Sequence, residues 1–251
     1  MPKIALITGA NRGLGRNTAL QLAEDGVDLI LTYRSNAAEA QDVVDAATKL
    51  GRTAVALRLD VGAVETHADF VTEVRAALAE RWGRDMFDHL VNNAGVGLYG
   101  SFAETPLETF DALLNVHFRG VFFLTQALAP LIADGGRIVN LSTGLTRFTR
   151  PGYAAYASMK GAVEVLTHYL AQELGPRGIT VNVVAPGAIA TDFAGGMVRD
   201  TPALRDRLGS ETALGRVGEP DDVGGVVAAV LSDRYGYVTN QRIEASGGTL
   251  I

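Results

Sequence analysis

The sequence contains no cysteine. That absence excludes disulfides, thiolate metal sites and cysteine nucleophiles together. Positive charge is also scarce: 22 Lys and Arg against 28 Asp and Glu leave a net charge of −6, with no basic run to meet nucleic acid. The four histidines, His67, His89, His117 and His168, lack metal-ligand spacing, so no metal is expected. No apolar stretch reads as long enough to cross a bilayer, and Lys3–Thr8 reads as a strand rather than a leader peptide. A cytoplasmic protein without a membrane partner is therefore expected. Hydrophobic residues make up 47% of the chain and glycines number 29, a balance that suits an α/β protein with many tight turns. No linker or low-complexity segment divides the 251 residues, and residues 1–251 are read as a single domain.

The period of the apolar residues alternates between strand and helix along the chain. Ile4–Thr8 reads as a buried strand, followed by Gly9-Ala-Asn-Arg-Gly13-Leu-Gly15 and a helix to about Asp25. A strand at Val27–Tyr33, a helix at Ala37–Leu50 and a strand at Thr53–Leu59 complete a β-α-β-α-β unit, the layout of a parallel sheet with crossover helices. Helix Val64–Arg81, strand Phe87–Val91 and a long helix Pro106–Ala133 follow. Strand Arg137–Leu141, helix Gly152–Gly175 and strand Ile179–Val184 come next. Residues 188–218 have no strong period and are expected to form a partly helical excursion, a lid. A last helix opens at Glu219-Pro-Asp-Asp222, and Ile243–Ala245 is a short final strand.

Three local patterns carry chemistry. Gly9-x-x-x-Gly13-x-Gly15 lies between a strand and a helix, where glycine lets the backbone approach a pyrophosphate and the helix N-terminus offers free N–H groups. A methyltransferase uses a similar glycine turn. The end of the second strand faces the adenosine ribose in such a layout; Tyr33 stands near the position of an acidic residue, and Arg34 follows it. Arg12 and Arg34 converging on a 2′-phosphate would favour NADP(H) over NAD(H). Finally, Tyr156 and Lys160 are an i, i+4 pair, about 6 Å apart along a helix and on one face. A cation beside a phenol lowers its pKa toward neutrality, so Tyr156 is expected to give and take protons. Tyr153 lacks such a partner, since Ala157 stands four residues on. Ser142 resembles a nucleophile position, but Asn140 replaces the first glycine of Gly-x-Ser-x-Gly.

Thr8-Gly9-x-x-x-Gly13-x-Gly15, Asp60-Val61, Asn92-Asn93-Ala94-Gly95, Asn115, Ser142, Tyr156-x-x-x-Lys160 and Pro186-Gly187 occur in one order over the whole chain. In this set the chain resembles the short-chain dehydrogenase/reductase family, in particular its 3-oxoacyl-carrier-protein reductase-like branch. The resemblance implies a Rossmann-type, doubly wound domain with a seven-stranded parallel sheet in the order 3-2-1-4-5-6-7. It implies reversible hydride transfer between NADP(H) and a ketone or secondary alcohol. Tyr156 would be the acid/base, Lys160 its partner and a ribose ligand, Ser142 the holder of the carbonyl oxygen and Asn115 a water-holding relay. Thr8, Gly9, Asn11, Arg12, Gly13, Leu14, Gly15, Tyr33, Arg34 and Ser35 would meet the adenosine and phosphates. Asp60, Val61, Asn93, Ala94, Gly95, Pro186, Gly187, Ile189 and Thr191 would line the rest of the cofactor cleft. Packing of the long helices in a homotetramer is also implied.

For the substrate pocket the sequence offers Leu98, Ser142, Leu145, Phe148, Tyr153, Phe193 and Met197, whose mixed apolar character selects no single ketone. Arg147 and Arg150 are read as surface arginines. Two other functions remain at this point. An NAD-linked alcohol or sugar dehydrogenase shares the motifs, and a non-catalytic NADP-sensing scaffold shares the fold. A sensor has no need of Asn115, Ser142, Tyr156 and Lys160 together, and a methyltransferase has no use for the last two.

Overall fold

The computed structural model describes residues 2–251. Seven parallel strands form its centre: β1 (Ile4–Ile7), β2 (Asp28–Tyr33), β3 (Ala54–Arg58), β4 (Phe87–Asn92), β5 (Ile132–Leu141), β6 (Thr180–Pro186) and β7 (Arg242–Ala245). Their order is β3-β2-β1-β4-β5-β6-β7, as the resemblance implies. Strands β1 and β6 are buried throughout, which is why they read as unbroken apolar runs rather than as alternations.

Helices cover both faces. On one side α1 (Gly13–Glu24), α2 (Ala37–Lys49) and α9 (Pro220–Leu231) bury Leu22, Val43 and Val227 against the sheet. On the other, α3 (His67–Trp82), α5 (Gly120–Leu128) and α6 (Ala154–Leu174) bury Phe70, Val74, Leu124 and Ala171. The caps follow local chemistry. Asn36 accepts from the Glu39 N–H at 3.2 Å, and Glu219 with Asp222 forms a capping box around Pro220.

Two elements differ from expectation. Strand β5 starts five residues earlier than Arg137, because Ile132 pairs with Phe87 before the register skips to His89 and Arg137. Gly135, at φ +77°, absorbs the skip. The long helix is not one α-helix: α4 (Leu107–Leu114) passes through a π-turn at Asn115–Arg119 into α5 and ends in a 3-10 turn. Contrary to the sequence reading, the combined run Leu107–Leu131 has the length and mean hydropathy of a membrane span. Here it packs against α3 and α6, and Gly120 lies so close to the Val61 carbonyl that a Cβ would stand 2.2 Å from it. The excursion contains a short turn at Phe193–Gly196, then α7 (Met197–Asp200) and α8 (Pro202–Ser210).

At the amino end of the sheet His89 is 2% exposed and has Arg137 as its register neighbour. Burial, aided by Lys3, lowers its pKa from 6.5 to about 4. The unfolded chain therefore binds a proton at higher pH than the folded one. Stability is full above about pH 6.5 and is lost as pH falls toward about 4, by about 3 kcal/mol for this group. We expect the melting temperature to drop over that window and the drop to shrink in His89→Gln. A melting temperature independent of pH there counts against this assignment.

Candidate active site

The carboxyl ends of all seven strands share one edge, where ligands of parallel sheets bind. A cleft of about 720 Å³ opens along it. Its floor begins at the glycine loop. Gly9 has φ +63° and Gly13 φ +55°, and a Cβ on Gly15 would stand 2.4 Å from both Asn93 Nδ2 and the Gly9 carbonyl oxygen. Arg12, the residue before α1, gives that helix no side-chain cap, so its first N–H groups face the cleft unclaimed by a side chain. Thr8 does not line the cleft but builds it. Its Oγ1 accepts from the Asn93 and Ala94 N–H groups, both at 2.9 Å, locking the glycine loop to the end of β4.

Asn11, Arg12, Gly13, Leu14, Gly15, Arg34, Ser35, Asp60, Val61, Asn93, Ala94, Gly95, Pro186, Gly187, Ile189 and Thr191 all line the cleft, as expected. Tyr33 does not; the adenosine end is lined instead by Arg34, Ser35 and Asn36, because Tyr33 is still a strand residue paired with Arg58. The two guanidiniums named from the sequence stand in different surroundings. Arg12 is engaged with Asp192 at 2.7 Å, while Arg34 has no carboxylate partner among the described residues.

Tyr156 and Lys160 lie on the first turns of α6, both buried, with the ammonium 5.9 Å from the phenol ring centre. Lys160 Nζ donates to the Leu141 carbonyl at 2.7 Å. The expected lowering of the Tyr156 pKa does not appear in the protein alone. Burial dominates and raises it, a hydrogen bond from Thr143 acts in the opposite sense, and Tyr153 adds to the rise. Burial likewise brings Lys160 down to about 8. A carbonyl rather than the phenol takes the ammonium's hydrogen bond, so the two groups are each desolvated more than they stabilise one another.

Two residues named from the sequence have their side chains engaged elsewhere. Ser142 borders the cleft, but its hydroxyl donates to Glu164 Oε1 at 2.6 Å. Thr143 also lines the cleft, and its hydroxyl acts on Tyr156 in the sense that opposes the rise of the phenol pKa. Asn140 and Ser142 both turn to the body of α6, where they meet Thr167 and Glu164, while Thr143, one residue further past the end of β5, lines the cleft beside Tyr156 on the first turn of the same helix. Asn115 is the second case. It does not line the cleft; its Cβ lies near Gly62 and its Oδ1 accepts from Arg119 at 3.4 Å. His117, two residues further on, is the side chain of this turn that lines the cleft together with Val116. The imidazole is fully buried, stands edge-on to Tyr156 with ring centres 5.0 Å apart, and holds the Val96 carbonyl with Nε2 at 2.8 Å. Burial, followed by the Lys160 charge, lowers its pKa to about 3, so the ring is neutral. The π-turn widens the helix by one residue, and angles counted at 3.6 residues per turn cannot place either side chain there. A histidine interrupting the apolar pattern three residues before a glycine was the available signal.

Leu145, Phe148, Tyr153, Phe193 and Met197, named from the sequence for a substrate pocket, line the cleft together with Tyr99. Leu98 is 38% exposed and outside the cleft. Tyr99 and Tyr153 stack with centres 6.0 Å apart, and Phe193 approaches Tyr156 at 6.1 Å. Arg147 is exposed, as read from the sequence, and paired with Glu244, whereas Arg150 is half-buried on the cleft wall and paired with Glu211.

Comparison with known proteins agrees with this geometry. The family model described as enoyl-(acyl carrier protein) reductase matches residues 9–249. The chain is 35% identical over 250 residues to the 3-oxoacyl-[acyl-carrier-protein] reductase FabG of Staphylococcus epidermidis, covering 99% of each. Among solved structures, LugOII, a promiscuous reductase that catalyses keto-reduction at C1 during lugdunomycin biosynthesis, is 38% identical with a TM-score of 0.94, covering 99% of this chain and 98% of its own. The angucycline C-6 ketoreductase LanV with bound NADP is 36% identical with a TM-score of 0.93, covering 99% of this chain and 95% of its own. LanV is also known with NADP and rabelomycin bound.

Proposed function

The chain belongs to the short-chain dehydrogenase/reductase family, and from that premise we propose that it is an NADP(H)-dependent ketoreductase. The observation that carries this reading is the cluster of Tyr156, Lys160, Thr143 and His117 at the junction of a dinucleotide-shaped cleft and an aromatic pocket. Residues 1–251 act as one unit, with residues 188–218 as the lid over the substrate.

The residues present suit the cofactor. The glycine loop and uncapped α1 N-terminus would hold the pyrophosphate, Asp60 and Val61 would border the adenine, and Arg34 would meet a 2′-phosphate. Bound NADPH supplies the hydride. Tyr156 gives its proton to the carbonyl oxygen, and the Thr143 hydroxyl donates a hydrogen bond to the same oxygen as negative charge develops there. Lys160 places a positive charge behind the phenol as it becomes a phenolate, and its ribose contact follows the family pattern. His117 fixes the Val96 backbone and one edge of the Tyr156 ring, which limits rotation of the proton donor.

The preference for NADP(H) rests on Arg34. Arg34→Ala should lower kcat/KM for NADPH by roughly tenfold to a hundredfold, the worth of one charged hydrogen bond, and leave NADH nearly unchanged. Equal losses with both cofactors would refute the assignment and favour the NAD-linked dehydrogenase reading.

For the substrate we favour a planar, aryl-fused ketone. Tyr99, Phe148, Tyr153 and Phe193 form flat apolar walls, and LanV, bound to rabelomycin, supports the same class. The test is an NADPH-oxidation screen of fused aromatic ketones against 3-oxoacyl thioesters and diketones. Higher kcat/KM for the fused ketones is expected, and a preference for thioesters overturns the choice. NADPH binding without turnover of any carbonyl would point to the sensor reading.

A further inference from the structure

A carboxylate lies on α6 one turn beyond Lys160 and two beyond Tyr156: Glu164, partly buried behind the cleft. Its Oε1 accepts from Ser142 Oγ at 2.6 Å, Thr146 Oγ1 at 2.8 Å and Arg242 Nε at 3.0 Å. Arg242, the first residue of β7, reaches back with Nη2 to the Thr143 carbonyl at 3.1 Å and with Nη1 to Glu244 at 2.7 Å. Arg147 closes the far side, bidentate on Glu244 and bonded to the Leu250 carbonyl. Two carboxylates and two guanidiniums thus alternate, each charge meeting the opposite one, around the loop that leaves β5.

We propose that the Glu164–Arg242 pair is a positioning device for the reaction, holding the Thr143 backbone so that its hydroxyl faces the Tyr156 phenol. The inference rests on the functional reading above. Thr143 is extended (φ −159°, ψ 154°), and its Oγ1 already accepts from the Leu145 N–H at 3.3 Å. Its proton is therefore directed away from the turn. Arg242 holds the carbonyl of the same residue, so rotating this peptide breaks the arginine contact and withdraws the hydroxyl together. The Ser142 and Thr146 hydroxyls on Glu164 fix the residues on either side.

No carboxylate touches Tyr156 among the described residues. Lys160 on its own helix, His117 on the π-turn, Tyr153, Phe193 and Thr143 are its neighbours. Of these, Thr143 is the hydrogen bond that opposes the effect of burial on the phenol. An ion pair that acts through Thr143 therefore moves the pH profile of the reaction, which a pair that only braces the fold does not.

The test uses Arg242→Lys, which keeps the charge and removes the planar fork, and Glu164→Gln, which keeps an accepting oxygen. Both should lower kcat by roughly tenfold to a hundredfold, the effect of misplacing a reacting group by about an ångström. The KM for NADPH should hold, and the alkaline limb of the pH–rate profile should shift. In a double-mutant cycle, the effect of Arg242→Lys should vanish on a Thr143→Ala background. Independent, additive losses would overturn the proposal, as would wild-type kcat in both variants. If the wild-type protein reduces no ketone, the functional reading fails by itself. A crystal structure of Arg242→Lys then decides the positioning: a displaced Thr143 hydroxyl supports it and an unmoved one refutes it.

Discussion

Tyr156→Phe should reduce turnover by roughly a thousandfold or more while leaving NADPH binding unchanged. The Tyr156 phenol is the acidic hydrogen beside Lys160, and phenylalanine keeps the ring, its edge contact with His117 and its packing against Phe193. What is lost is the proton, and general acid catalysis contributes about 10²- to 10⁴-fold. The pH dependence has a stated direction. Lys160 is cationic below about pH 8, its pKa having been lowered by burial. Ketone reduction should therefore hold through neutral pH and decline as pH rises through about 8, where the charge supporting the phenolate is lost. Steady-state rates across that range, with NADPH affinity from quenching or calorimetry, measure both parts. Activity within about tenfold of wild type in Tyr156→Phe is incompatible with the role.

The parallel sheet was legible because each element announces itself locally. Gly26, Gly51 and Gly83 end helices, Asn36 and Glu219 begin them, and the fully buried strands are apolar from end to end. The cofactor half of the cleft was legible for the same reason: backbone and glycine do most of the contact, so position along the chain suffices. Side chains that act across elements were harder to place. Asn115 and His117 differ by two residues, and choosing between them requires the π-turn, whose i→i+5 bonds have no composition signature here. Arg12 lines the cleft as named, but its ion pair with Asp192, 180 residues later in the chain, has no signal in local spacing. The Tyr156–Lys160 pair was correctly placed on one helical face, yet its electrostatics were misjudged. Spacing reports proximity and says nothing about how much water remains around either charge.

Thr143→Ala and Ser142→Ala should separate two adjacent hydroxyls by at least about an order of magnitude in rate. Thr143→Ala removes the donor facing the oxygen that gains charge in the transition state. Loss of one such donor costs about 10²–10³ in kcat, or roughly 3–4 kcal/mol, with little change in substrate KM. Thr143→Ser restores the hydroxyl and should recover most of the activity, because the Leu145 N–H still orients the oxygen. Ser142→Ala removes a hydroxyl that points toward α6, and Glu164 keeps the Thr146 and Arg242 donors. Its effect on kcat should stay within about tenfold, arising through loosened positioning rather than a lost contact to substrate, and stability should fall by about 1 kcal/mol. Single-turnover rates for the three variants on one ketone decide the matter. If Ser142→Ala loses more activity than Thr143→Ala, the carbonyl oxygen sits against Ser142, and the choice of Thr143 as its hydrogen-bond donor is wrong.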